Sequence, residues 1–146
     1  MIRFISFLAA MLMAATSFAQ DNAATLQIIP AREVTLAEFQ WRNRLIVVFA
    51  DSDLDPSFQK QLDLLQSREI AMLERDVVVL TDTDPATPSD IRLELRPRGF
   101  GFVFIDKDGV IKLRKPTPWD AREISRSIDK TPLRQQEIRD AQQAVD

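Results

Sequence analysis

An α/β three-layer sandwich around a mixed central sheet is the fold this sequence predicts, and three stretches predict it. The runs "RLIVVFA" (residues 44–50) and "RDVVVLTDT" (residues 75–83) are apolar, β-branched and lack polar alternation, the pattern of strands buried on both faces. A single helix separates them, so they form a right-handed βαβ unit with parallel strands. The third stretch, "GFGFVFIDKDGVIKLRK" (residues 99–115), places two strand patterns around Asp108-Gly109, a strong hairpin signal.

The remaining elements follow in order. Thr35 with Glu38 reads as a capping box for a short helix to about Trp41. After the first strand, Asp55 is placed as an N-cap and Pro56 as the first helical residue. Phe58, Leu62, Leu65 and Met72 form one apolar stripe of a helix to about residue 74. "DPATPSD" is a turn, with Thr87 and Asp90 as a second capping box, and "IRLELR" a short helix ending at Pro97. Thr117-Pro118-Trp119-Asp120 starts a helix to about Lys130, and Pro132 starts another. Val47, Val48, Phe49, Val78, Val79, Phe102, Phe104 and Ile105 are the expected sheet core. A βαβ unit followed by a β-hairpin and C-terminal helices is the thioredoxin-like layout.

The opening twenty residues, "MIRFISFLAAMLMAATSFAQ", predict a signal peptide over residues 1–19. Arg3 supplies the positive start, residues 4–15 the apolar stretch, and Ser17-Phe18-Ala19 the small-residue cleavage site. The apolar stretch is short for a span of about 20 residues, so no stable membrane anchor is expected after cleavage. The absence of cysteine excludes a lipoprotein anchor. The expected protein is exported, periplasmic or secreted. Residues 20–34 read as an irregular segment and residues 35–146 as a single domain.

Composition narrows the chemistry. The chain has 146 residues, 45% hydrophobic and 28% charged, with a formal net charge of −3 and no histidine, cysteine or tyrosine. Thiol catalysis is therefore excluded, and the usual base at neutral pH is missing. A chain without clustered positive charge in excess has no electrostatic basis for nucleic-acid binding.

Four blocks, "FQWRNRLIVVFA", "ERDVVVL", "GFVFIDKDGVIKLR" and "SIDKTPLRQQEIR", together resemble the small exported domain-of-unknown-function family numbered 4174, over residues 39–139. Its bacterial members are short chains with signal peptides, and a similar domain occurs in some vertebrate extracellular-matrix and sushi-repeat proteins. The resemblance implies a thioredoxin-like fold and a secreted setting, and brings no catalytic residues with it.

In a thioredoxin-type chain the CxxC pair sits between the first strand of the βαβ unit and its helix. Here that turn is Asp51-Ser52-Asp53-Leu54-Asp55. With parallel strands, Asp51 and Asp53 share the carboxyl edge of the sheet with Asp82 and Asp84, where open α/β sheets bind ligands. Such carboxylates suit magnesium or calcium, the only cofactors the sequence suggests. "VVFADSD" is also similar to the strand and DxD start of haloacid-dehalogenase phosphatases. That likeness implies Asp51 as phosphoryl nucleophile and Asp53 as general acid with magnesium, although Leu54-Asp55 departs from the family's usual Thr or Val. An EF-hand is excluded, since Pro56 and Leu62 stand where Gly and Glu are needed. The plain structural role is a helix start, with Asp82 and Asp84 as turn residues.

Ser57-Phe58-Gln59-Lys60 matches SxxK without the partner motifs of serine acyl enzymes. Arg96, Arg98, Lys112, Arg114 and Lys115 form a basic strip beside the hairpin, suited to an anionic ligand or to protecting an edge strand. Trp41 and Trp119 are expected as packing anchors. Three function classes follow: an exported non-catalytic binding or interaction module, taking an unidentified protein or a small anionic ligand; a metal-dependent phosphohydrolase using Asp51 and Asp53; and a cysteine-free partner of a redox enzyme.

Overall fold

The computed structural model describes residues 24–145. The predicted signal peptide, residues 1–19, lies outside them. The central pair of strands is β2, Arg44–Phe49, and β3, Val77–Asp82, which run parallel with Leu45 opposite Val78 and Phe49 opposite Asp82. Strand β4, Gly101–Ile105, is antiparallel to β2, and β5, Ile111–Lys115, is antiparallel to β4. On the far side of β3 lies β1, Ile28–Pro30, in parallel. The order across the sheet is β1-β3-β2-β4-β5.

Strand β1 corrects the expectation that residues 20–34 are irregular. Three residues are too few for a readable period, and proline at the strand's end is tolerated at a sheet edge. Leu26 and Ala31, flanking this strand, are buried. They anchor the edge to opposite faces of the sheet.

Helices cover both faces because β2, β3 and β4 carry apolar side chains on both. On one face Ile46, Val48, Val79, Phe102 and Phe104 meet Phe58, Leu65 and Met72 from α1 (Pro56–Gln66) and α2 (Glu69–Leu73), with Ile124 and Ile128 from α4 (Ala121–Asp129). On the other, Val47, Phe49, Val78 and Ile105 meet Ile91 and Leu95 of α3, Asp90–Leu95. All eight expected core residues are buried. The last helix, α5, spans Pro132–Gln143 and contains no fully buried residue. Among the described residues no helix is long and apolar enough to cross a membrane.

Several helix boundaries differ from the sequence expectation. The helix expected to run to residue 74 breaks after α1, where the Ser67 hydroxyl donates to the Leu64 carbonyl at 2.8 Å and Arg68 leaves helical geometry. Thr35 and Glu38 form no side-chain cap; the segment is a 3₁₀ turn, Leu36–Phe39. Trp41 beyond it is 66% exposed and does not anchor packing. Trp119 does, meeting Phe102 edge to face with ring centres 5.9 Å apart. Ser89, not Thr87, caps α3. The hairpin turn is as expected, with Gly109 at φ +80° and its N–H donating to the Asp106 carbonyl at 2.9 Å.

Candidate functional site

The carboxyl ends of β2 and β3 are locked together by one arginine. Arg92 projects from α3 and is buried; its Nη2 donates to the carbonyls of Ala50 at 2.8 Å and Asp82 at 2.9 Å. Its Nε lies 3.0 Å from Asp82 Oδ1, and its guanidinium stacks 5.4 Å from the Phe49 ring centre. Asp82 also accepts from the Ser89 hydroxyl at 2.6 Å and from the Ser89 N–H at 3.2 Å. Burial opposes ionisation of Asp82, yet the Ser89 hydroxyl, the amides of Asp84 and Ser89, and Arg92 outweigh it and hold the carboxyl below its usual range. Asp82 is therefore a buried structural anion and not a turn residue.

This arrangement separates the four candidate cation ligands. Asp82 is turned into the protein, Asp84 lies 3.7 Å from Arg32, and Asp51 and Asp53 are exposed on the β2–α1 turn. Among the described residues no three acidic side chains gather into a group able to hold a metal ion. Asp55 begins α1, its carboxylate accepting from the amides of Ser57 at 2.8 Å and Phe58 at 3.3 Å, with Pro56 as the first helical residue. Ser57 and Lys60 of the SxxK match lie on that same helix.

Part of the basic strip converges. Arg96, Arg98, Arg114 and Lys115 line a cavity of about 260 Å³ between the α3–β4 connection and the end of β5, with Phe100 and Pro116 in its apolar wall. Arg96 sits at φ +50° and ends α3 in the left-handed conformation. Arg114 is fixed by donating to the Leu95 carbonyl at 2.9 Å on the face that α3 covers, whereas the Lys115 ammonium lies 5.0 Å over the Trp119 ring on the opposite face, so Lys115 borders the cavity with its charge directed away from it. No carboxylate of the described residues lies within ion-pair distance of these four cations. Lys112 is the exception in the strip, pairing at 3.4 Å with Asp108 in the hairpin turn. Because Gly101 pairs with Phe49, the cavity lies beside the β2–α1 turn on the same sheet edge.

The opposite edge holds a second charge cluster that the sequence reading missed. Arg44, fully buried at the start of β2, places Nε 3.0 Å from Asp106 Oδ1 and donates in a fork to Glu137 at 3.1 and 3.2 Å. Lys107 reaches Glu137 at 2.7 Å and Asp76 at 2.7 Å. Arg134 pairs with Glu137 at 3.1 Å, and Arg75 with Asp129 at 2.8 Å. Burial opposes ionisation of Glu137, but hydrogen bonds from Lys107, Arg44 and Arg134 dominate and lower its pKa to about 2.

The family described as Domain of unknown function (DUF4174) matches this chain over residues 35–137. The chain belongs to that family. Coiled-coil domain-containing protein 80 of Danio rerio is a relative, 29% identical over 133 residues, which take in 70% of this chain but 15% of that protein. The chain thus spans a small part of that relative's length. Among solved structures, chloroplastic thioredoxin z matches with a TM-score of 0.54 at 25% identity, over 73% of this chain and 96% of that one. Reduced Plasmodium vivax 2-Cys peroxiredoxin matches at 0.53 and 20% identity, over 66% and 81% of the two chains. A thioredoxin from Thermus thermophilus matches at 0.51 and 23%, over 73% and 86%. The DUF4174 domain here is thus a thioredoxin-like fold without cysteine.

Proposed function

We propose that this chain is an exported, non-catalytic binding module on a redox-inactive thioredoxin-like scaffold, and that the group it binds is anionic. The observation that carries this reading is the cavity beside the carboxyl edge, lined by Arg96, Arg98 and Arg114, none of which has a carboxylate partner among the described residues. Like charges held together without counter-ions repel one another, and an anion seated among them relieves that repulsion. Arg114 is held in place by the Leu95 carbonyl, so less side-chain entropy is lost on binding. Phe100 and Pro116 offer apolar contact beside the charge.

Titration with inorganic phosphate, followed by amide chemical shifts, tests the site. The expected shifts cluster at Arg96, Arg98, Phe100 and Lys115 and disappear in the Arg96→Glu/Arg98→Glu variant. Shifts confined to other surfaces, or none, overturn the reading. Export is tested by intact mass: the expected N-terminus is within a residue or two of Gln20, and Met1 retained on a membrane-bound form overturns it.

A further inference from the structure

The cavity and the β2–α1 turn are neighbours of opposite sign. Asp51 and Asp53 are exposed and make no ion pair with any described residue, and Arg96 and Arg98 likewise lack an acidic partner. Between the two aspartates and the Asp55 cap stands Leu54, 75% exposed. Acidic turn and basic cavity lie side by side, because Phe49, which leads into the turn, pairs with Gly101 in the cavity wall.

Resting on the anion-binding reading above, we propose that the anionic group taken by the cavity is the Asp51–Asp53 turn of a second copy of this chain, in a two-fold reciprocal dimer. A two-fold axis between adjacent patches of opposite charge sets each turn against the partner's cavity, so the complementary contact is made twice. A purely acidic partner entering the cavity meets repulsion from Asp51 and Asp53, and a purely basic one meets repulsion from Arg96 and Arg98. The surface that satisfies both patches together is one carrying both signs in the same arrangement, and this chain presents that arrangement itself. Leu54 then meets Phe100 and Pro116 at the centre of the contact, where an apolar residue removed from water contributes most. The turn is set for this role: Ser52 Oγ accepts from the Leu54 N–H at 3.1 Å and the Asp55 N–H donates to the Ser52 carbonyl at 3.2 Å.

Sedimentation equilibrium of the exported protein provides the test. A concentration-dependent dimer is expected, with its dissociation constant raised about tenfold between about 50 mM and 500 mM salt as the charges are screened. The Asp51→Lys/Asp53→Lys variant and the Arg96→Glu/Arg98→Glu variant are each expected to be monomeric with unchanged circular dichroism. Mixed in equal amounts, they are expected to form a heterodimer, since both contacts regain opposite charge. A dimer that survives both reversals, or reversed variants that fail to pair when mixed, overturns the proposal. Wild type that stays monomeric while phosphate still shifts the cavity amides overturns the second-copy partner and leaves anion binding standing. If both signals are missing, both readings fall.

Discussion

Each end of the sheet buries an arginine against an aspartate, but the two pairs join very different parts of the chain. Arg92 works within a short reach: Asp82, Ser89 and Ala50 all belong to the carboxyl ends of β2 and β3 or to the start of α3. Arg44 gathers the β4–β5 turn through Asp106, the α2–β3 turn through the Arg75 carbonyl, and α5 through Glu137. Because α5 has no fully buried residue, its attachment rests heavily on that charge cluster. At the amino end, then, charge is used to hold the molecule together. At the carboxyl end Arg92 neutralises Asp82 internally and leaves Asp51, Asp53, Arg96 and Arg98 facing outward, which is why the proposed recognition is placed there.

The largest effect is expected from breaking the amino-end cluster. Arg44→Met leaves Asp106 buried without its cation, a change that costs about 3 to 5 kcal/mol. Arg92→Met is expected to cost less, about 1 to 3 kcal/mol, because Asp82 keeps the Ser89 hydroxyl and two backbone amides. Urea denaturation of both variants tests the ranking, and a larger loss for Arg92→Met would reverse the comparison. Phe104→Ala, in the core that both ends share, supplies a scale of about 3 to 5 kcal/mol. A loss under about 1 kcal/mol there would contradict its burial.

The next expected effect sharpens the comparison by pH. Glu137 has its pKa lowered from 4.5 to about 2, so its contribution is complete above 4.5 and is lost as pH falls through 2. Thermal melts across that window should fall steeply for wild type. Glu137→Gln should melt lower at neutral pH, vary less through the window, and converge with wild type at its acid end. Parallel curves for the two proteins would show that Glu137 does not link α5 to Arg44.

How much of this was legible in the sequence follows from the reach of each interaction. The runs that became β2 and β3, the Asp108-Gly109 turn and the Asp55-Pro56 helix start are local patterns, and the structure has all of them. Part of the basic strip was readable too, because the α3 terminus carries Arg96 and β5 carries Arg114 to one cavity; strand alternation turns the Lys115 charge to the other face, and Lys112 pairs with Asp108. Ser89 was missed as a cap in favour of Thr87, although a serine directly before the helix is a local cap signal and its hydroxyl accepts from the Arg92 N–H. Arg44 opens the strand run "RLIVVFA", and nothing local signals a partner 93 positions away at Glu137. Asp82 read as a turn residue for the same reason, since only the packed α3 brings Arg92 to it.

The smallest effects are expected at the opening turn, where they separate a structural role from a catalytic one. Asp55→Ala removes the carboxylate that caps α1 and should cost about 0.5 to 2 kcal/mol. Asp51→Asn and Asp53→Asn remove exposed charges that make no ion pair with any described residue, so in dilute protein their melting temperatures should stay close to that of wild type. The same melts repeated with magnesium and with calcium extend the test. If the two aspartates repelled each other across a shared cation site, neutralising either would raise stability without the ion and abolish stabilisation by it. The geometry argues for the first outcome, because Asp82 is committed to Arg92 and Ser89 and cannot turn toward Asp51 without abandoning a buried guanidinium. A magnesium-dependent rise in the wild-type melting temperature that vanishes in Asp51→Asn would overturn that argument and put phosphoryl chemistry at this turn in its place.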